Sequence, residues 1–241
     1  MGNITAIEDD AQTTEFFDNA QVTPDRTFTY DALYRLVQAT GREKDSQTQT
    51  SAFYSDYAGS MGGIPDGGAI DTVLRQYTQS YLYDAAGNIT EMKHQQGLGG
   101  TVLWKRGYDY QSGNNQLRAT SLPTYTYSNP ATYSDTYTYN DRGAMVALPH
   151  LRSGVNNLLR DYRDQIRKAL LPTTGHEAWY AYDASGQRVR KVWDKNGTTE
   201  ERIYVGPFEV WREKNSSGIV QEERETLHVM DDTQRICMIE T

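Results

Sequence analysis

Four histidines, one cysteine and a few acidic pairs are the residues of this 241-residue chain whose types could do chemistry. His94, His150, His176 and His228 have no close metal-ligand spacing and no partner cysteines. His150 follows Pro149 and reads as a loop residue, while His228 alternates within an apolar run and reads as a surface or cross-strand contact. Asp9-Asp10 and Asp231-Asp232 could suggest calcium, but neither pair has the spaced oxygens of a calcium loop, so turn residues explain them better. Cys237 lies in Ile236-Cys237-Met238-Ile239, where a small buried strand residue fits better than a nucleophile. A single cysteine also excludes an internal disulfide framework. No Gly-rich phosphate loop or nucleophile elbow is present. Two chemical readings stay open. Carboxylates that meet only in the fold could make a hydrolase, and Trp104, Trp179, Trp193 and Trp211 with the tyrosines could make a sugar-binding surface, against packing as the plainer alternative. No residue is assigned a catalytic, cofactor-binding or metal-binding role.

The elements that would have to position such groups are strands. Hydrophobic residues make up 37% of the chain and mean hydropathy is -0.75, below the usual apolar share of a globular domain. Yet 18 tyrosines against 5 phenylalanines argue against disorder, because tyrosine suits a pleated surface where the ring packs and the hydroxyl stays wet. The net charge of -8 makes nucleic acid or an anionic membrane an unsuitable partner, since binding phosphates needs a positive surface. No stretch reaches the roughly 20 apolar residues that span a bilayer as a helix.

The strongest signal is internal repetition. Tyr83-Asp84-Ala85-Ala86-Gly87-Asn88-Ile89 matches Tyr182-Asp183-Ala184-Ser185-Gly186-Gln187-Arg188 in its Tyr, Asp and Gly. Tyr139-Asn140-Asp141-Arg142-Gly143 puts Asn for Asp, and Tyr30-Asp31-Ala32-Leu33-Tyr34 puts Tyr where Gly is expected. Looser copies are Tyr108-Asp109 with Gly113 and Tyr162-Arg163-Asp164-Gln165-Ile166, so the unit recurs every 20 to 31 residues from Tyr83 to Tyr182. Each copy reads as a hairpin. An alternating strand ends in Tyr, Asp or Asn accepts backbone N–H bonds that start a turn, Gly supplies the positive φ, and an aliphatic residue begins the return strand.

The last sixty residues read as a meander, with Asn196-Gly197 as the best hairpin signal, Ser216-Ser217-Gly218 as a second turn and Asp231-Asp232-Thr233-Gln234 as a third. Two regions break the pattern. Residues 43–75, polar and Gly-rich from Glu43 to Gly68, read as a mobile loop inserted between repeats. Val155 to Leu171 has helix-like spacing, but Tyr162 to Ile166 also resembles a repeat turn, so helix and strand readings compete.

These features resemble the RHS/YD-repeat family, and within it the B/C shell components of insecticidal toxin complexes. The phrases that carry the resemblance are Phe28 to Leu36 with Ala39-Thr40-Gly41-Arg42-Glu43, Tyr182 to Val192, Arg202-Ile203-Tyr204-Val205-Gly206 with Phe208-Glu209-Val210, and Glu223 to Asp232. The resemblance implies an all-β fold of antiparallel hairpin repeats, part of a curved, spiralling sheet that forms a shell, with residues 1–241 a fragment of it. It implies a non-enzymatic wall that encapsulates a C-terminal toxin or effector, secreted or extracellular within a larger toxin assembly. The implied partners are flanking repeats of the parent chain, a partner shell component and the encapsulated polypeptide, with no nucleic acid, cofactor or membrane insertion. Such shells normally cut their cargo free with paired aspartates in a downstream core region. None of the seven prolines follows an aspartate, and those residues are not carried over. Gly2-Asn3-Ile4-Thr5 repeats Gly87-Asn88-Ile89-Thr90 letter for letter, so a Tyr-Asp pair is expected upstream of Met1.

Overall fold

A computed structural model of the chain describes residues 2–17, 19–44, 74–122, 129–232 and 234–241. It divides into two compact units, Met1–Thr136 and Tyr137–Thr241. Every sheet pairing is antiparallel, and no α-helix occurs among the described residues. The all-β expectation is borne out.

In the first unit the strands are β1 (Ala6–Ile7), β2 (Glu15–Phe17), β3 (Ala20–Val22), β4 (Arg26–Tyr30), β5 (Leu36–Lys44), β6 (Leu74–Tyr83), β7 (Ile89–Gln96), β8 (Val102–Tyr110), β9 (Leu117–Thr120) and β10 (Asp135–Thr136). β2 and β3 form a hairpin, and the others make an open eight-stranded sheet in the order β1-β4-β5-β6-β7-β8-β9-β10. Alternation in β6 sends Arg75, Tyr77, Gln79 and Tyr81 to one face, opposite Glu43, Gly41 and Ala39 of β5. Gly41 is required there. A Cβ on it would stand 2.8 Å from the Tyr77 hydroxyl, so the ring can lie over bare backbone. Tyr77 in turn tilts against His94, which stacks on Trp104 at 5.3 Å.

In the second unit β11 (Thr138–Tyr139) pairs with β12 (Met145–Ala147). An eight-stranded meander follows: β13 (Leu158–Arg160), β14 (Ile166–Leu170), β15 (His176–Tyr182), β16 (Arg188–Lys195), β17 (Thr199–Val205), β18 (Phe208–Lys214), β19 (Val220–Asp231) and β20 (Gln234–Glu240). Its small apolar core joins Leu158, Ala169 and Ala178 to Leu148, Leu151 and Leu171. Asn157, 2% exposed, holds the covering loop: its Oδ1 accepts from the Leu148 amide, and its Nδ2 donates to the carbonyls of Leu148 and Arg152. One side chain thereby satisfies three backbone groups that the loop would otherwise bury unpaired.

One open reading is settled and two expectations change. Within 155–171 the competing readings resolve to strand, Leu158–Arg160 and Ile166–Leu170 joined by a tight turn, with Leu158 and Leu159 facing Ala169 and Lys168. Cys237 is exposed on β20, because that strand packs only along its pairing with β19. Of the segment read as an inserted loop, 45–73 lies outside the described residues. Its margins Glu43, Lys44, Leu74 and Arg75 are paired strand, held by the Glu43–Arg75 ion pair.

Candidate functional site

The repeat turns share one construction. In the Asp84 copy the Asp84 amide donates to the Asn88 carbonyl at 2.9 Å, the Gly87 amide donates back to the Asp84 carbonyl at 3.1 Å, and Gly87 has φ 93. This is a three-residue hairpin loop whose last residue is left-handed. The same pair of backbone bonds closes the turns that start at Asp31, Asn140, Asp161, Asp183 and Asn215. The acidic or amide side chain explains why the first residue is Asp or Asn. Oδ1 of Asp31 accepts from the amides of Leu33 and Arg35, that of Asn140 from Arg142 and Ala144, that of Asp161 from Arg163 and Gln165, and that of Asn215 from Ser217 and Ile219. Asp84 and Asp183 accept from the amides of Asn88 and Gln187.

These bonds favour the charged carboxylate. The Arg35 amide holds Asp31 below the usual aspartate range, the Asn88 side chain does so for Asp84, and the Ser185 hydroxyl does so for Asp183.

The left-handed position tolerates other residues at a cost. Tyr34 takes it with φ 62 and Asp164 with φ 60. Tyr34 is 77% exposed, so packing gives it little in return.

The tyrosine before the turn serves the neighbouring repeat. The hydroxyl of Tyr83 donates to the Leu36 carbonyl at 2.7 Å, that of Tyr110 to Ile89 at 3.0 Å and that of Tyr182 to Ile166 at 2.9 Å. Tyr30 does the same to Ile4. For Tyr83, Tyr110 and Tyr182 the acceptor is the first residue of a preceding return strand, where the hairpin register slips and a carbonyl is left over. Arg160 stands in the tyrosine position of the Asp161 turn, and its Nε donates to the matching carbonyl, Met145, at 2.7 Å.

Adjacent turns are then tied directly within each unit. Arg35 Nη1 reaches the Asp84 carbonyl, and Asn88 Nδ2 reaches Asn115. In the second unit Arg142 reaches the Tyr162 carbonyl, Asn140 reaches Asp164, Arg163 reaches the Ala184 carbonyl and Gln165 reaches the Gly186 carbonyl. The result is a ladder of turns along one sheet edge of each unit.

All twelve turn residues singled out in the sequence, Tyr30, Asp31, Tyr83, Asp84, Gly87, Asn88, Tyr139, Asn140, Gly143, Tyr182, Asp183 and Gly186, lie at these hairpins. Two looser copies sit in a different frame. The turn after β8 starts at Gln111, with Tyr110 before it, and Asp109 instead pairs with Arg118. The turn after β13 starts at Asp161, not Tyr162, because the turn needs its accepting side chain directly before the three loop residues. Sequence reasoning read Ser216-Ser217-Gly218 as a turn but missed it as the same device. The signal was available in Asn215 three residues before a glycine.

Among the described residues, the buried charged side chains lie in paired groups. Glu43 accepts from Arg75 at 2.9 Å and meets His94 Nε2 at 3.0 Å. Arg106 donates to Thr120 and Asp135. At Glu201, 3% exposed, burial pushes the carboxyl up, but bonds from Lys214 and Arg190 outweigh it and leave the group below its ordinary range. The tryptophans are similarly engaged: Trp104 by His94, Trp179 by Lys168, Trp193 by Lys195 and Trp211 by Arg224. Among the described residues no group of acidic, histidine or cysteine side chains could hold a metal ion, and no helix is long and apolar enough to cross a membrane.

Fold and ladder define a class: an open, antiparallel β-repeat sheet built from tethered hairpins. The solved structure of TcdB2-TccC3-Cdc42 shares the fold, with a TM-score of 0.55, 22% identity, and coverage of 95% of this chain and 10% of that one. The sequence relatives are toxin subunits of Yersinia entomophaga. YenC2 is 28% identical over 207 residues and YenC1 29% identical over 224, covering 84% and 87% of this chain. The chain spans a fifth of the length of either relative, 20% in both cases. No family model matches. The resemblance to toxin-complex C subunits is borne out.

Proposed function

We propose that this chain is a non-catalytic wall segment of a toxin-complex shell, and that the shell encloses a polypeptide cargo. The observation that supports it is the ladder. The tyrosine hydroxyls bond the preceding repeat's backbone, the Asp and Asn side chains close their own turns, and Arg35, Arg163 and Gln165 reach the next turn, so among the described residues these polar groups are spent on extending a sheet. That the relatives are toxin subunits supports a setting in a multi-component assembly, which we place outside the producing cell, with flanking repeats and a companion shell subunit as partners. The engaged tryptophan faces favour packing over sugar binding.

The test is a graft. The chain replaces the stretch it matches in YenC2, and limited proteolysis reads whether the polypeptide downstream of the graft stays sheltered. Shelter equal to that of the parent subunit is the expected result. A folded graft that leaves that polypeptide open to protease overturns the proposal. So does hydrolase or glycosidase turnover by the 241-residue chain that one point substitution abolishes.

A further inference from the structure

The turn between β16 and β17 carries a pair of residues that the repeat ladder does not use. Asn196-Gly197 is the chain's sole Asn-Gly dipeptide. Both residues are exposed and both are left-handed, at φ 61 and φ 127, which closes the two-residue hairpin. The Asn196 amide donates to Asp194 Oδ1 at 2.9 Å, and the Lys195 amide to the Thr198 carbonyl at 2.8 Å. Neither the Asn196 carboxamide nor the Gly197 amide has a hydrogen-bond partner among the described residues. The carboxamides of the three asparagines at the repeat turns are committed. Asn88 donates to Asp84, Asn140 accepts from two backbone amides and donates to Asp164, and Asn215 accepts from two.

An uncommitted carboxamide followed by an uncommitted, unhindered backbone amide is a pair that can react with itself. We infer that Asn196 is a site of spontaneous deamidation, with water as the co-reactant. The Gly197 nitrogen, its proton taken by hydroxide, attacks Asn196 Cγ. The Cγ–Nδ2 bond breaks, nitrogen leaves as ammonia carrying that proton equivalent, and a five-membered succinimide remains. Water adds to either ring carbonyl and opens the ring to aspartate or isoaspartate. Glycine is what permits the attack, since any larger residue would crowd the nitrogen.

The product matters to the hairpin. A new carboxylate forms beside Asp194, whose own carboxylate already accepts the residue's amide. The isoaspartate form also adds a backbone carbon to a two-residue loop, so Asp194 and Thr199 can no longer face each other as they do now. The Asn196 side chain lies against Gly175, where a Cβ would come within 3.1 Å of its Cγ, so the neighbouring turn feels the change.

The experiment ages the intact 241-residue chain in warm, mildly alkaline buffer made with heavy-oxygen water. Peptide mass mapping then reads the amide-to-acid mass gain and oxygen label at every asparagine, and an isoaspartate methyltransferase counts the isoaspartate. Conversion at Asn196 should lead every other asparagine by several-fold, and Asn196→Gln should abolish the leading signal while folding unchanged by circular dichroism. If folded chain keeps its Asn196 amide while chain unfolded in urea converts it, or if another asparagine converts first, the inference is wrong.

Discussion

At the scale of single residues, the tyrosine hydroxyls and the left-handed positions carry separate energies. A neutral hydrogen bond to an otherwise leftover carbonyl contributes about 1 kcal/mol. Tyr83→Phe and Tyr182→Phe should each lower stability by about that much in urea unfolding, with the ring contacts retained. At φ 93 an alanine is strained by about 1 kcal/mol, so Gly87→Ala should destabilise by a similar amount. Tyr34→Gly should move stability the other way, by less, because relief at φ 62 is partly offset by the added freedom of the unfolded chain. Equal melting temperatures for Gly87→Ala and the parent would show that the turn does not hold this geometry. These roles were half legible: the Tyr-Asp-x-x-Gly spacing marks the turn, but the bond from Tyr83 to Leu36 joins residues 47 apart and leaves no local pattern.

Among elements, the turns share a titrating part. Asp31, Asp84 and Asp183 all have folded-state values held below the ordinary one, so their contribution is full above the unfolded aspartate value of about 3.9. It is lost as pH falls through the lower folded values. Asn140 and Asn215 make the same turns with a group that does not titrate. The double variant Asp84→Asn, Asp183→Asn should therefore show a shallower loss of melting temperature on acidification than the parent. Parallel acid profiles would mean that other carboxylates, such as Glu201, dominate. Core packing makes a contrasting prediction. Leu158, 6% exposed, anchors the apolar cluster, and Leu158→Ala should cost about 3 kcal/mol. Val205, 62% exposed, should tolerate alanine with little change. The strands of 155–171 were not decidable from periodicity, because Val155, Leu158, Leu159, Tyr162 and Ile166 satisfy a helical stripe as well as two short strands. Pairing with β15 settles it.

For the whole molecule, the small cores explain why a chain of mean hydropathy -0.75 can be ordered. Cross-strand ion pairs such as Lys168–Glu177 and Arg212–Glu223 occupy sheet positions that a globular domain would fill with aliphatics. Apolar side chains are meanwhile left on the surface: Ile236, Met238 and Ile239 of β20 are 65%, 54% and 51% exposed. Exposed apolar strands are templates for pairing with another chain. The isolated chain should self-associate with rising concentration in sedimentation velocity, and Ile236→Lys with Ile239→Lys should suppress it. A concentration-independent monomer would count against β20 as an association surface.

The sequence by itself determined the fold class and the repeat, because a hairpin turn is written in five consecutive residues whose chemistry is local. It pointed to the right relatives for the same reason. Only the tertiary structure decided the frame of the Asp161 and Gln111 turns, the exposure of Cys237, the tyrosine bonds to the preceding repeat and the closed Glu43–Arg75–His94 group. Each of these depends on which strand lies beside which, and partners 32 and 51 residues away meet only when the sheet has formed.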